Sequence, residues 1–324
     1  MTARSGEFER IAALARTFGA QPAPGVSRGI GDDAAILDPA SRGEAGRALV
    51  WTVDAQVDGV HFRSDLVGLH DVGFRSFMAA ASDLAAMGAS PWCALSSLVV
   101  PAILDDAALS ALTGGQAEAA TAMGAPVVGG NLSRGEALSI TTSLLGTCAR
   151  AVPRFARAGD GLWIAGAVGL AAAGLLGLER RQDDPRLVPA VAAWRRPRAR
   201  VSDGLAMAAV ATGAIDVSDG LAQDAGHLAR AASLRAVIDE ARLLAHGGPT
   251  LAAAAACLGV DALDLALHGG EDYALLVASA EPVAGFTAIG SFEEGEGVAL
   301  ASGGSTRAIA PRGWDHFEPR RERL

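Results

Sequence analysis

Apolar segments of strand length and helix length alternate along this chain, and they are separated by short polar turns in which an acidic residue sits beside glycine or serine. This pattern constrains the fold most, because both kinds of regular structure are present throughout and the acidic residues fall mostly at strand ends, where a scaffold stops and ligands bind. Glu7 to Phe18 carries apolar residues at helical spacing (Phe8, Ile11, Leu14, Phe18), and a Pro/Gly-rich loop from Gln21 runs into Gly31-Asp32-Asp33. Ala48 to Val53 reads as a strand entering Asp54, and Asp71 to Met87 as a helix closed by Gly88. A strand (Ala94–Val100) and a helix (Asp105–Met123, closed by Gly124) follow. Next come a short strand, Pro126 to Val128, ending in a Gly129-Gly130-Asn131 turn, and a strand from Leu138 to Cys148.

The arginine- and glycine-rich stretch after Arg150 marks the boundary between a first domain, 1–150, and a second, 151–324. The second opens on a strand, turn and helix at Leu162–Leu178. A charged connector covers Glu179–Arg200, and a strand then enters Ile215-Asp216-Val217-Ser218-Asp219-Gly220. A helix is expected from there through Leu234, an Ala-rich helix near Thr250–Leu258, and a strand at Ala274–Val277 after His268-Gly269-Gly270-Glu271-Asp272-Tyr273.

With 324 residues, half of them apolar and 19% charged, the chain can bury a sizeable core. The net charge of -9 argues against a nucleic-acid partner. All 27 basic residues are arginine. Without lysine there is neither a Walker A loop nor a protein-kinase strand lysine, so both of those nucleotide-binding classes are excluded. Cys93, Cys148 and Cys257 match no metal or redox spacing and read as free thiols in a reducing compartment. The N-terminal residues lack the apolar core of an export signal. The uncharged run Gly161–Leu178 is long enough for a membrane span, but its glycines and alanines read better as strand, turn and helix, and no membrane association is expected.

Five acidic turns stand out: Asp32-Asp33, Asp54 with Asp58, Asp83, Asp216 with Asp219, and Glu271-Asp272. One such turn is ordinarily a cap, and Ser82-Asp83 and Ser218-Asp219 could each cap a following helix. Five without lysine are different, because clustered carboxylates repel one another unless cations bind among them. Oxygen donors without a histidine or cysteine cluster favour Mg²⁺, which takes one or two carboxylates and completes its shell with water and substrate phosphates. The spacing of an EF-hand is absent. Gly129-Gly130 would let backbone N–H groups approach a phosphate. His61 alone among the histidines sits inside a motif, Gly59-Val60-His61-Phe62.

Taken together, Gly29-Ile30-Gly31-Asp32-Asp33-Ala34-Ala35, the strand into Asp54 with Gly59-Val60-His61-Phe62, and Ser82-Asp83-Leu84-Ala85-Ala86-Met87-Gly88-Ala89 resemble the thiamine-monophosphate kinase family. So do Ile215 to Leu221, Gly269-Gly270-Glu271-Asp272-Tyr273 and Gly313-Trp314-Asp315-His316-Phe317, in order over nearly the whole chain. The resemblance implies an α/β fold with mixed sheets, shared with aminoimidazole-ribonucleotide synthetase. It also implies a cytoplasmic homodimer whose N-terminal domains pair into a β-barrel, and transfer of phosphate from ATP to thiamine monophosphate with several Mg²⁺ ions. By position, Asp33, Thr52, Asp54, Asp83, Asp216 and Asp219 resemble the family's Mg²⁺ ligands, with Val53 through its carbonyl. Gly130, Asn131, Arg154 and Ser218 fall where the family contacts ATP, and His61, Glu271 and Trp314 where it contacts thiamine phosphate. Where the family turn after the glycine pair reads Gly-Gly-Asp-Thr this chain has Gly130-Asn131-Leu132-Ser133, whose asparagine keeps an oxygen ligand and removes a charge.

Overall fold

The computed structural model describes residues 7–19, 23–28, 36–310 and 312–314. They form two compact units: Met1–Leu84 with Ala89–Arg150, and Ala85–Gly88 with Ala151–Leu324.

The first unit contains α1 (Glu7–Gly19), the short strands β1 (Val26–Arg28) and β2 (Ile36–Leu37), β3 (Ala48–Val57), α2 (Leu69–Ala86), β4 (Ser90–Pro101), α3 (Asp106–Met123), β5 (Val127–Gly135) and β6 (Ser139–Cys148). Its main sheet has the order β3-β6-β4-β5, with β4 and β5 parallel and the other neighbours antiparallel. The two-residue period of a strand splits β3 into two faces. Thr52, Asp54 and Gln56 point to the more protected side, while Leu49, Trp51 and Val53 are 56%, 72% and 63% exposed. Helix α3 begins at Asp105, whose side chain accepts the Ala108 N–H, and ends on left-handed Gly124. It crosses α2 at backbone contact, since a Cβ on Gly73 would lie 1.8 Å from the Leu112 carbonyl oxygen and one on Gly115 1.8 Å from that of His70.

One sequence expectation fails here. Gly129-Gly130-Asn131 is not a turn after a short strand; β5 continues to Gly135, parallel to Leu95–Pro101 of β4. Gly130 makes this continuation possible: it pairs with Ser96 at a φ of 152°, and a Cβ there would sit 1.8 Å from the Ser96 oxygen.

The second unit comprises β7 (Gly161–Ala165), α4 (Leu170–Glu179), α5 (Val188–Arg195), α6 (Val201–Met207), β8 (Gly213–Asp216), α7 (Leu221–Ala231), β9 (Leu234–Asp239), α8 (Glu240–Leu258), α9 (Ala262–His268), β10 (Leu275–Ser279), β11 (Thr287–Glu294), β12 (Gly297–Ser302) and β13 (Ser305–Ile309). Its sheet runs β13-β12-β9-β11-β7-β10-β8 and is antiparallel except for β12 beside β9. The core gathers Leu162, Ile164, Ile215, Leu228, Ile238, Leu276 and Phe292. The expected connector contains a helix, α5, with Pro189 in its first turn, where a missing N–H costs nothing, and with Trp194 buried. The helix expected through Leu234 stops at Ala231, and left-handed Ser233 turns the chain into β9. Leu234, Ala236 and Ile238 of β9 alternate inward. Among the described residues no single helix is long and apolar enough to cross a membrane. All three cysteines are free thiols.

Candidate functional site

In the first unit, Thr52, Val53 and Asp54 lie along β3 and Asp83 lies inside α2 near its C-terminal end. Asp83 therefore caps no following helix; instead its Oδ2 accepts the Thr52 hydroxyl at 2.5 Å. Asp54 Oδ1 accepts the Gln56 amide at 3.0 Å, and Gln56 is buried. Asp54 pairs with Thr142, Thr142 with Ser96 and Ser96 with Gly130, so one row crosses the sheet from edge to edge. Three strand spacings put Asp54 and Gly130 about 14 Å apart. The structure thus groups Thr52, Asp54 and Asp83 at one edge and places Gly130 and Asn131 on the other. Asp33 lies outside the described residues.

His61 closes the tight turn that follows β3. Its Nδ1 accepts the Val57 N–H at 3.1 Å, so in the neutral ring Nε2 carries the proton and points away from that turn. The buried Arg75 donates to the His61 carbonyl at 3.4 Å. Asp58 is a local turn residue, accepting the backbone N–H and hydroxyl of Ser64.

In the second unit β8 ends on the buried Asp216, and Val217 to Gly220 turn the chain into α7. Two further segments dock on this turn through the backbone. Tyr273 N–H donates to Val217 O and Glu271 N–H to Ser218 O, each at 2.8 Å, and Trp314 N–H donates to Asp219 O at 3.0 Å. The approach is close enough that a Cβ on Gly270 would lie 2.6 Å from Ser218 O. Glu271 and Tyr273 both take left-handed backbone conformations, at φ 63° and 50°. Such strain in non-glycine residues persists where the surroundings enforce it, often at ligand sites. Glu271 Oε2 accepts the indole N–H of Trp194 at 2.9 Å. Gln223 donates to Trp314 O at 2.9 Å and to Asp219 Oδ2 at 3.3 Å. The structure therefore brings Asp216, Ser218, Asp219, Glu271 and Trp314 together. Arg154 is near enough to help lower the proton affinity of His227, on which desolvation acts first and Arg230 also acts.

Asp272, adjacent to Glu271, has a structural task. Its carboxylate takes the N–H groups of Gly169 (2.5 Å) and Ala171 (3.0 Å) at the start of α4. Burial nevertheless pushes its pKa up to about 7.

Sequence reasoning passed over Asp224, His227, Trp194 and Arg75. Asp224 is 2% exposed on α7, and its proton affinity is raised well above the usual carboxylate range by desolvation first, then by Asp219 and Asp216. Asp219, Asp224 and His227 each bring a ligand atom within 4.8 Å of the others. The three-residue step from Asp224 to His227 on one helix face was a signal available in the sequence; Trp194 and Arg75 gave none.

Residues 31–148 match the AIR synthase related protein N-terminal domain, which places the chain in the class of proteins built on that domain. Thiamine-monophosphate kinase of Aquifex aeolicus is 32% identical over 96% of this chain and 98% of its own length; that of Mycobacterium tuberculosis is 36% identical over 96% and 92%. The solved structure of AaThiL complexed with AMPPCP and TMP superposes with a TM-score of 0.78 at 31% identity, covering 98% of this chain and all of that one. Escherichia coli HypE, a hydrogenase maturation protein, shares the fold alone, with a TM-score of 0.74 at 22% identity over 95% and 97% of the two chains. The chain belongs to the thiamine-monophosphate kinase family, and its α/β architecture with mixed sheets is the one the resemblance implied.

Proposed function

We infer that this chain transfers the γ-phosphate of ATP to thiamine monophosphate, giving ADP and thiamine diphosphate. The observation that carries this reading is similarity to thiamine-monophosphate kinases over nearly the whole chain, including a solved relative complexed with AMPPCP and TMP. The acceptor is a phosphate oxygen already ionised near neutral pH, so no strong general base is needed. The obstacle is charge: at about 4 Å each pair of unit charges costs about 4 kcal/mol at an effective dielectric of 20.

The donor set fits Mg²⁺, because hard oxygens predominate, and Asp216 and Asp219 add, after desolvation, to the raised proton affinity of Asp224. Several Mg²⁺ ions would be held, with Asp33, Thr52, the Val53 carbonyl, Asp54, Asp83 and Asn131 as donors from the first unit and Asp216 and Asp219 as donors from the second. When bound, the metal would neutralise phosphate charge and align the displacement. Gly130, Arg154 and Ser218 bind the nucleotide in this reading, and His61, Glu271 and Trp314 receive thiamine phosphate. Transfer is direct, with no phosphorylated residue. The exposed apolar side of the four-stranded sheet, at Leu49, Trp51 and Val53, pairs with a second copy to form the barrel of a cytoplasmic homodimer.

The test is ADP release with thiamine monophosphate and Mg²⁺, run beside free thiamine and an aminoimidazole ribonucleotide precursor. Turnover with thiamine monophosphate alone is expected. ATP binding without turnover would instead favour a binding homologue, and Asn131 is the residue that motivates that second reading. Restoration of turnover by Asn131→Asp would then locate the defect there.

A further inference from the structure

We propose that Asp224 is a positioning residue, whose buried carboxylate gathers the backbone N–H groups of Ser218, Asp219 and Gly220 and presets the turn that presents Ser218 and Asp219 to the metal–nucleotide complex. The proposal rests on the reading above of that turn as part of the nucleotide site.

One oxygen, Oδ2, accepts all three N–H groups, at 3.1, 3.2 and 3.1 Å. Three consecutive N–H groups converging on one anion curl the backbone into a nest, the arrangement that elsewhere holds a phosphate. Here the anion is internal, supplied from the first turns of α7 itself. With the N–H groups turned inward, the carbonyls of Val217, Ser218 and Asp219 face the other way, where they accept the N–H groups of Tyr273, Glu271 and Trp314. A single carboxylate thus fixes the turn on which the segments carrying Glu271 and Trp314 hang. A neutral asparagine or serine could also cap a helix start. Its three bonds hold the backbone of both Ser218 and Asp219, the residues read as nucleotide and metal contacts, and this makes Asp224 more than a cap.

The test compares the full-length chain with Asp224→Asn and Asp224→Ala by three measurements. These are Mn²⁺ binding by electron paramagnetic resonance beside a non-hydrolysable ATP analogue, amide hydrogen exchange at 218–220, and the Mg²⁺ dependence of turnover. In Asp224→Asn, Mn²⁺ affinity is expected to fall about tenfold or more, as when a group behind a metal ligand is removed, and half-saturating Mg²⁺ to rise in parallel. In Asp224→Ala the three amides exchange faster, and added acetate slows them again by refilling the nest. A folded Asp224→Asn protein with unchanged Mn²⁺ affinity overturns the proposal, as does a wild-type chain that binds no Mn²⁺. If Asp224→Ala does not fold, Asp224→Asn decides. If the wild type binds Mn²⁺ but leaves thiamine monophosphate untouched, the kinase reading fails, and the comparison of Mn²⁺ affinities still judges Asp224.

Discussion

Trp51→Glu tests the exposed face of the first unit. The Trp51 side chain lies on the sheet with its indole N–H donating to Ser143 Oγ at 2.6 Å, yet it is 72% exposed between the exposed Leu49 and Val53. A buried aromatic removes about 150–250 Å² from water, so covering the exposed part of Trp51 would remove roughly 110–180 Å². At about 25 cal/mol per Å² this is roughly 3–4 kcal/mol per protomer. A two-fold interface uses the same patch twice. Placing a carboxylate there also adds like charges across the axis. Even allowing for side-chain ordering and imperfect packing, a loss of about 3 kcal/mol per dimer is the least to expect, a rise in dissociation constant of about 150-fold. Sedimentation velocity over a concentration series reads this directly. The control is Ile103→Glu, because Ile103 is 82% exposed in the loop before α3 and lies on no strand. If Trp51→Glu leaves the dissociation constant unchanged, or if Ile103→Glu shifts it equally, the assignment of this sheet face as the homodimer surface is wrong.

Three further outcomes are expected. Trp194→Phe keeps an aromatic six-membered ring and removes the donor to Glu271; a hydrogen bond to a charged group is worth about 1.5 kcal/mol or more, so KM for thiamine monophosphate should rise about tenfold while KM for ATP holds steady. Gly115→Ala drives a Cβ to 1.8 Å from the His70 oxygen and should lower stability by about 1–3 kcal/mol in urea melts, whereas Gly114→Ala meets nothing nearer than the His70 ring at 3.6 Å and should be neutral or stabilising. Asp272 has a pKa of about 7 when folded against 3.8 as an unperturbed carboxyl, so the unfolded chain loses this proton first as pH rises, and the stability tied to it is lost from about pH 4 up to about 7. Asp272→Asn has no such proton to lose, so the thermal midpoint of the variant relative to wild type should climb as pH increases across that window.

Sequence patterns exposed those parts of this fold whose physics is local. The helix from Asp105 to Gly124 could be read because both ends are written in adjacent residues, a carboxylate cap and a left-handed glycine. Gly129-Gly130 looked like a turn because glycine pairs usually permit one, but the parallel pairing with β4 lies in residues some thirty positions earlier and overrides that tendency. The helix expected through Leu234 overran the end of α7 and β9 was not foreseen, because no glycine or proline marks the break, which depends on Ser233 taking a conformation glycine usually supplies. At the site, the acidic residues were visible, but not all of them lie in turns, since Asp54 lies within β3 and Asp83 within α2, and their tasks were not legible. Asp54 and Asp83 have side chains engaged with neighbouring polar groups, Asp58 holds a local turn and Asp272 serves a helix start, distinctions made by partners remote in sequence.

On the proposed reading, the filled nest before α7 accounts for a nucleotide site without lysine. A helix start preceded by convergent N–H groups would ordinarily receive a phosphate, and its positive end would do part of a lysine's task. Here Asp224 consumes those N–H groups, leaving oxygens as the outward face of the turn: backbone carbonyls that hold Glu271 and Trp314, and the Asp219 carboxylate. A surface built this way repels phosphate unless a cation lies between. Phosphate affinity in the second unit then has to follow cation concentration, with Arg154 as the direct cationic contact of the reading above. Lowering Mg²⁺ should therefore raise KM for ATP more steeply than Arg154→Ala does at saturating Mg²⁺. Steady-state kinetics can rank the two; the opposite order would mean that the arginine, not the carboxylate turn, governs nucleotide binding.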